Sequence, residues 1–338
     1  GTGEVVKNIL ASTTIKVKNK VAVNAYANLV INQSALLELQ SDVTYTAYIG
    51  EIASTGLISY SGTPAGRVLA NKFITLPNDN YRDFSSPVKL TTIKNLERRG
   101  ITLVGIPGSN YPKLNYTNAF YYNEPNGLML DSGWVSATNA SNPVHKLNGS
   151  GQITSGAWRI YAGNYSKSVN YTLKDTGQVY QGDVAFLTTF THTVSSRNLD
   201  DGWNMVGNPY TSAINWGKVY RDPANSAVFA ANGIQPTIYA WRPSDQGKPI
   251  ELEDSYTFYN ASTGVGSGLD SIIPSFQGFW VKTYNDAAAS ADYVLTVKES
   301  HKQDVAASNF FKSDAPKPNV VEIQLAGANH TDKIWFHA

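Results

Sequence analysis

Histidines and carboxylates, the residue types that most often carry acid–base or metal chemistry, are dispersed in this sequence. The five histidines include no pair at the i,i+2 or i,i+4 spacing that places two zinc ligands side by side. They are His145, His192, His301, His330 and His337. Carboxylates cluster at Glu251–Asp254 and Leu199–Gly202, but a glycosidase needs two carboxylates on facing elements at a defined separation. No motif surrounds either cluster, so we expect no catalytic residue and no enzymatic activity.

Asp200 and Asp201 are the candidates for a metal site. Two carboxylates with nearby loop carbonyls supply the oxygen ligands that calcium prefers, although a solvated turn explains the same residues. We expect no other cofactor, because the sequence contains no Walker loop, no GxSxG elbow and no GxGxxG motif. The glycine-rich segment Gly264–Gly268 lacks the flanking strand and helix of a phosphate-binding loop, and we expect a flexible loop there.

Three of the seven tryptophans are candidates for binding sugars. Trp134, Trp216 and Trp241 lie beside turn residues, which predicts partial exposure, and an exposed indole face can stack on a sugar ring. Covering the edge of a β-sandwich explains the same residues. Trp158 and Trp280 lie in apolar strands, so we expect them in the core. We expect Trp203 in the core too.

Composition excludes electrostatic partners and a membrane span. The 27 Lys and Arg residues nearly balance the 26 Asp and Glu residues, so no net field attracts nucleic acid or an anionic membrane. Cysteine is absent, which excludes disulfides, thiolate metal sites and a thiol nucleophile and agrees with an exported bacterial protein. No apolar run approaches the 18 residues of a transmembrane helix.

Short strands rich in Tyr, Val, Ile and Thr, separated by polar turns, predict an all-β protein. Near the N-terminus, Val23, Ile31 and Leu39 are eight residues apart. We interpret this spacing as stacked rungs of a β-solenoid, in which each rung buries its apolar face on its neighbours. Residues 1–50 are therefore expected to form a short β-solenoid-like cap.

An internal repeat follows the cap. Five residue pairs are 122 positions apart (209 − 87 = 122): Pro87 and Pro209, Gly156 and Gly278, Trp158 and Trp280, Tyr171 and Tyr293, Leu173 and Leu295. The phrases AFYYNE and TIYAWR align near an offset of 118. The repeat predicts two tandem, related, jelly-roll-like β-sandwich modules over residues 51–198 and 199–310. Residues 311–338 are expected to be a linker and a terminal β-hairpin, which either starts a further domain or returns to pair with an earlier sheet.

Local signals add detail to the modules. Lys89–Arg99 and Ser212–Asp222 are the two segments with helical character, and Ser212 is placed to cap the second helix. Gly207 and Asn208, at the proline turn, are expected to adopt positive φ angles.

The motifs GWNMVGNPYTSAINW, TIYAW, YTFYN and IIPSFQGFWVKT occur in this order and resemble modules of large secreted proteins exported by the type IX secretion system. The phrases YRDFSSPV, FYYNE and AWRIYAGN resemble a partner module that often precedes them. The resemblance implies an extracellular or outer-membrane surface location in a Gram-negative bacterium and a non-catalytic, adhesin-like role. It also implies secretion or surface-anchoring proteins and other domains of a larger polypeptide as partners.

Two functions stay open at this point. The repeat and the resemblance favour a structural or adhesive module of a cell-surface protein. The aromatic excess favours a carbohydrate-binding appendage of a secreted polysaccharide-degrading enzyme. In addition, Asp270-Ser271-Ile272 resembles the short acceptor that these bacteria O-glycosylate in exported proteins, so Ser271 is a candidate modification site.

Overall fold

The computed structural model describes residues 5–23, 27–74, 80–97, 101–127, 132–162, 171–193, 201–230, 233–242, 255–285, 287, 289–303, 320–326 and 331–337. Regular structure in these residues is almost entirely β-strand, and the two α-helices found there are short. The all-β prediction is confirmed. Within the same residues, no helix has the length and apolar character needed to cross a membrane.

The first eight strands form a parallel stack over residues 5–74. They are β1 (Val5–Ile9), β2 (Thr14–Val17), β3 (Lys20–Val23), β4 (Ala27–Ile31), β5 (Leu36–Leu39), β6 (Tyr48–Ile52), β7 (Leu57–Tyr60) and β8 (Arg67–Ile74). Three parallel ladders connect them, in the orders β1-β4-β7, β2-β5-β8 and β3-β6. Their side chains enclose one aliphatic core.

The predicted eight-residue rung is wrong. Val23, Ile31 and Leu39 are all buried in the core of the stack, but they lie on three different ladders. Eight residues suffice for one short strand and a corner, since a strand rises about 3.3 Å per residue. The spacing therefore marks successive sides of the stack, whereas stacked strands are 22 residues apart where Thr14 pairs with Leu36 (36 − 14 = 22).

Two groups of elements with a similar order follow, and we call them the first and the second repeat. The first continues from β8 with β9 (Asn80–Phe84), α1 (Ile93–Leu96), β10 (Ala119–Tyr122), β11 (Trp134–Ser136), β12 (Lys146–Leu147), β13 (Ile153–Ser155), β14 (Trp158–Ala162) and β15 (Tyr171–Gly177). The second comprises β16 (Val184–Phe190), β17 (Trp203–Gly207), β18 (Ala213–Asn215), α2 (Trp216–Arg221), β19 (Gly233–Arg242), β20 (Ser255–Asn260), β21 (Val265–Ser267), β22 (Ile272–Ile273), β23 (Gly278–Tyr284), β24 (Ala291–Val297) and β25 (Lys302–Gln303). A separate hairpin pairs β26 (Val320–Ala326) with β27 (Thr331–His337).

Sheet order matches between the repeats. One sheet runs β9-β14-β10-β11 in the first repeat and β17-β23-β19-β20 in the second. The other sheet pairs β8 with β15 and, correspondingly, β16 with β24, both antiparallel. By these pairings the repeats span residues 67–177 and 184–297. Strand pairing also crosses these bounds, because β13 pairs with β16 of the second repeat and β8 continues the parallel stack through β5.

The 122-residue alignment is shifted by one position on the central strands. Trp158 pairs with Phe84, and both lie in the core of the first repeat. In the second repeat, Phe279 and Val206 form the corresponding core pair, while Trp280 faces the opposite side. A one-residue shift exchanges the faces of a strand. The alignment of Trp158 with Trp280 at the 122-residue offset is therefore wrong by one residue, although their strands are equivalent.

Two local predictions at the proline turn are also wrong. Helix α2 begins at Trp216 and is capped by Asn215, whose side chain accepts a hydrogen bond from the Lys218 amide at 3.2 Å; Ser212 lies outside the cap. Gly207 and Asn208 are absent from the positive-φ residues of the described chain. Gly207 is instead required by space, because a Cβ there would collide with the Ser85 hydroxyl. The predicted helix at Lys89–Arg99 is only the four residues of α1 within the described part.

Candidate functional site

The two repeats meet at a cluster of side chains around Arg159. We call it the junction cluster: Asp83, Tyr122, Trp134, Arg159, Trp241, Tyr256 and Trp280. The guanidinium carbon of Arg159 lies 4.5 Å from the ring centroid of Trp134 and 4.5 Å from that of Trp241. Cations are attracted to the faces of indole rings at this distance. The structure thus brings together two of the three tryptophans predicted to bind sugars, one from each repeat.

Equivalent positions of the two repeats build the junction cluster. Tyr122 pairs with Trp134 across β10 and β11, with ring centroids 5.4 Å apart, and Trp241 pairs with Tyr256 across β19 and β20 at 5.2 Å. The repeats approach closely here, because a Cβ on Gly278 would lie 2.6 Å from the Ala157 Cβ. Contacts between equivalent positions are characteristic of two-fold packing, so the repeats face each other through the same surface.

An ion pair holds Arg159 in place. Its Nε donates to Asp83 Oδ1 at 2.8 Å and its Nη2 donates to Asp83 Oδ2 at 3.0 Å, a bidentate geometry. Nη2 also donates to the Tyr256 hydroxyl at 3.2 Å, and Trp280 Nε1 donates to Asp83 Oδ2 at 3.2 Å. Burial by itself lowers the pKa of Arg159, but the charge and hydrogen bonds of Asp83 outweigh burial and raise the pKa above its usual value. The guanidinium therefore stays charged.

Part of the junction cluster faces solvent. Tyr256 is 42% exposed, and Trp134 and Trp241 are half-buried, whereas Trp280 and Asp83 are buried. Exposed aromatic rings beside a fixed guanidinium can stack on the apolar face of a flat or cyclic ligand and donate hydrogen bonds to its oxygens. The same rings also hold the two repeats together.

Trp216 cannot take part in such binding. It is fully buried in the core of the second repeat, its Nε1 donates to the Pro236 carbonyl at 2.9 Å, and its ring packs edge-on against Phe229 and Phe279. The prediction of an exposed stacking face at Trp216 is wrong. Its turn-like neighbours misled the prediction, because α2 directs the indole inwards.

The calcium candidates are only partly within the described residues. Asp201 is buried, and its carboxylate accepts hydrogen bonds from the Thr193 amide at 2.9 Å and from the Thr193 hydroxyl at 2.8 Å. The Thr193 amide and hydroxyl thus satisfy the Asp201 carboxylate, and Asp200 lies outside the described residues. Across the described part of the chain, no three His, Asp or Glu side chains are grouped as metal ligands.

Other predicted positions have ordinary surroundings. Ser271 is half-buried, and its carbonyl accepts from the Trp216 amide at 2.7 Å. In the segment Gly264–Gly268, residues 265–267 form the exposed edge strand β21, so a flexible loop is the wrong description for them. The carboxylates of Glu251–Asp254 lie outside the described residues.

One histidine lies in a buried polar chain that sequence reasoning missed. His145 Nε2 is 3.1 Å from the Ser85 hydroxyl, and His145 Nδ1 is 3.0 Å from the Tyr180 hydroxyl. Burial lowers the pKa of His145 to about 3, so the ring is neutral. Ser85 also donates to the Asn208 carbonyl at 3.3 Å, which links the first repeat to the proline turn of the second. Both side chains are buried, so the contact serves packing.

The other histidines show no shared site. His301 is buried and pairs with Asp222 at 2.8 Å, and His192 is half-buried. His330 lies outside the described residues, and the side chain of His337 is not described.

Glu124, in the FYYNE phrase of the first repeat, connects that repeat to the second. Its buried carboxylate accepts from the Thr189 hydroxyl at 2.7 Å, from the Thr191 amide and hydroxyl at 2.8 Å each, and from the Gly202 amide at 2.9 Å. A carboxylate satisfied by four donors fixes the elements that carry them. Glu124 therefore anchors the end of β10 to β16 and to the start of β17.

Comparison with known proteins identifies the family. Residues 4–338 match the family model described as "Domain of unknown function (DUF8693)", and the chain belongs to that family. No curated protein and no solved structure matches the chain.

Proposed function

We propose that this member of the DUF8693 family is a non-catalytic structural and adhesive module of a large protein. The protein is secreted, or displayed on the surface of a Gram-negative bacterium, through the type IX secretion system. Its proposed architecture is a β-solenoid-like cap followed by two tandem jelly-roll-like sandwiches. The observation that carries the proposal is that buried polar contacts join the parallel stack and both repeats into one body.

Side chains in the second repeat, or directly after it, form hydrogen bonds with backbone groups of the parallel stack. The Ile49 amide donates to the Thr211 hydroxyl at 3.0 Å, and the Ile52 amide donates to Glu299 Oε2 at 2.9 Å. Glu299 also pairs with the buried Lys302 at 2.7 Å, and Lys302 donates to the Gly50 carbonyl at 3.2 Å. Because Thr211 and Lys302 are buried and Glu299 is partly buried, separating the stack from the second repeat would leave polar groups unsatisfied. A body joined in this way holds flanking parts of a protein at a fixed separation.

Two measurements on the native host test this proposal. Antibody labelling of intact cells should detect the protein on the surface or in the medium, and disruption of the export system should retain it inside the cell. Purified protein should release no reducing sugar from common polysaccharides. Intracellular protein in wild-type cells would contradict the location, and release of reducing sugar would contradict the non-catalytic role.

A second function is favoured by the partly exposed junction cluster. Trp134, Trp241 and Tyr256 present aromatic surface around Arg159, which suits stacking on sugar rings in a carbohydrate-binding appendage. In the described part of the chain, Trp241 Nε1 is buried and has no hydrogen-bond partner.

A glycan array distinguishes the two functions. If the junction cluster binds glycan, Trp241→Ala and Tyr256→Ala should each weaken binding by about 1–3 kcal/mol, by analogy with stacking of nucleic-acid bases on aromatic side chains. Tyr111→Ala is the matched control, because Tyr111 is similarly exposed and lies outside the cluster. If no glycan binds, or if Tyr111→Ala weakens glycan binding as much as the cluster variants do, the carbohydrate-binding function is excluded. Only the structural proposal then remains.

A further inference from the structure

The first turn of the parallel stack, residues 5–23, has three strand edges without a partner strand in the described residues. β1, β2 and β3 each stand at the end of their ladder, and their other edges pair with β4, β5 and β6. An edge strand presents unpaired N–H and C=O groups that can pair with a further strand. All three edges belong to the same turn, so they form one surface at one end of the stack.

The described residues cover the core of the stack only in part at this end. Ile31, Leu39 and Ile49 of the second turn, residues 27–52, are completely or almost completely buried. In the first turn, Ile9 and Val23 are buried, but Val17 and Val21 are only half-buried although they pack against the same core. A solenoid turn buries its apolar side chains on both neighbouring turns. The first turn therefore carries apolar area that a further turn would cover.

Charge alternates between successive turns. The first turn contains Lys7, Lys16, Lys18 and Lys20 and no acidic residue. The second contains Glu38, Asp42 and Glu51 and no Lys or Arg, and the third, residues 57–74, contains Arg67 and Lys72 and no acidic residue. Opposite charges at neighbouring ladder positions stabilise strand pairing, and like charges destabilise it.

Contacts between the first two turns follow this alternation. Lys16 is aligned with Glu38 in the β2–β5 ladder, and their charged atoms are 3.9 Å apart. Lys18 lies 5.4 Å from the ring centroid of Tyr45. On its other side, Glu38 accepts a hydrogen bond from Asn71 of the third turn at 3.2 Å. A carboxylate of the second turn is thus contacted from both neighbouring turns, and Lys16 and Lys18 of the first turn are contacted from the second.

We propose that the outer edges of β1, β2 and β3 are a docking surface for an acidic β-segment, which adds a parallel turn to the stack. Backbone pairing and the half-buried valines supply affinity, and the lysines select the acidic partner. A second copy docked edge to edge is disfavoured, because it would place one lysine-only turn against another.

The test adds a turn to the full chain. A copy of residues 27–56, which is the acidic second turn with its natural connector, is fused directly before residue 5. The matched control carries the same copy with its Glu38, Asp42 and Glu51 counterparts replaced by Lys. Hydrogen exchange of the β1, β2 and β3 amides is compared in the unfused chain and both fusions, and the amides of β14 and β23 serve as the internal measure of folding.

The acidic copy should slow exchange of the edge amides by about tenfold relative to the unfused chain, since pairing protects them. The Lys-substituted copy should protect them less, and the difference should shrink in 1 M salt, where the screening length is about 3 Å. Replacing Lys16, Lys18 and Lys20 by Glu should reverse the preference. Equal protection by both copies, or none by the acidic copy, would overturn the proposal. Protection of the unfused chain that rises with concentration, together with a dimeric mass, would overturn it in favour of a second copy.

Discussion

The two repeats differ at the position where they face each other. The pair that faces away from the repeat's own core is Asp83 on β9 and Arg159 on β14 in the first repeat, and Met205 on β17 and Trp280 on β23 in the second. If both repeats kept the ion pair, two guanidinium groups would meet across the junction. With an indole on one side, the Arg159 guanidinium lies 5.8 Å from the Trp280 ring centroid. The comparison shows that the two repeats carry different side chains at these positions. The cation of one repeat therefore meets an aromatic ring of the other, and not a second cation.

The largest expected effect comes from breaking the ion pair between Asp83 and Arg159 in the first repeat. Asp83→Ala leaves the largely buried Arg159 without its carboxylate, and we expect a loss of about 3–5 kcal/mol in the free energy of unfolding. The double variant Asp83→Met with Arg159→Trp, which copies the pair of the second repeat, should recover most of this loss. Chemical denaturation measures both. A cost of Asp83→Ala below about 1 kcal/mol would show that the pair is not needed.

Glu124→Ala removes an anchor between the repeats without changing either core. Four donors lose a charged acceptor, so we expect a loss of about 1.5–3 kcal/mol. Hydrogen exchange should increase in β16 and near Gly202, while the amides of β14 stay protected. Thr189→Val is a milder control that removes one donor. If exchange rose equally in both cores, Glu124 would be a general stabiliser and not a junction contact.

The buried His145 predicts that the first repeat is acid-sensitive. Burial lowers the pKa of His145 from the ordinary histidine value of 6.5 to about 3 in the folded protein, so the unfolded chain binds an extra proton between these values. Stability should therefore decrease as pH falls from about 6.5 towards 3, by on the order of 1 kcal/mol per unit. Denaturation at pH 7 and pH 5 measures this slope. His145→Gln should flatten it and His192→Gln should not; an unchanged slope in His145→Gln would assign the sensitivity elsewhere.

The smallest effect concerns Ser271, whose counterpart 122 residues earlier is Gly149. Ser271→Ala should change stability by no more than about 0.5 kcal/mol, as expected for a partly exposed position. If Ser271 is O-glycosylated, the mass of natively secreted protein should exceed the sequence mass, and Ser271→Ala should remove the excess. A wild-type mass equal to the sequence mass would exclude the modification.

Sequence reasoning succeeded where the signal is local and failed where it depends on facing elements. The repeat was visible because equivalent strands keep similar residues at a nearly constant offset. The counterpart of Trp158 was misassigned because a shift of one residue leaves the composition of a strand unchanged while exchanging its faces. Arg159 was not singled out, although it lies in the quoted AWRIYAGN phrase, since its partner Asp83 is 76 residues away.

The sequence by itself determined the all-β class, the neutral surface charge and the presence of two related repeats, because strand propensity, charge and repetition are properties of local segments. Only the tertiary structure decided that Trp134 and Trp241 enclose Arg159, that Trp216 is buried, and that stacked strands are separated by whole turns of the stack. These features depend on contacts between segments distant along the chain. Such contacts depend on how whole surfaces pack against each other. The spacing of residues within one segment carries no information about that packing.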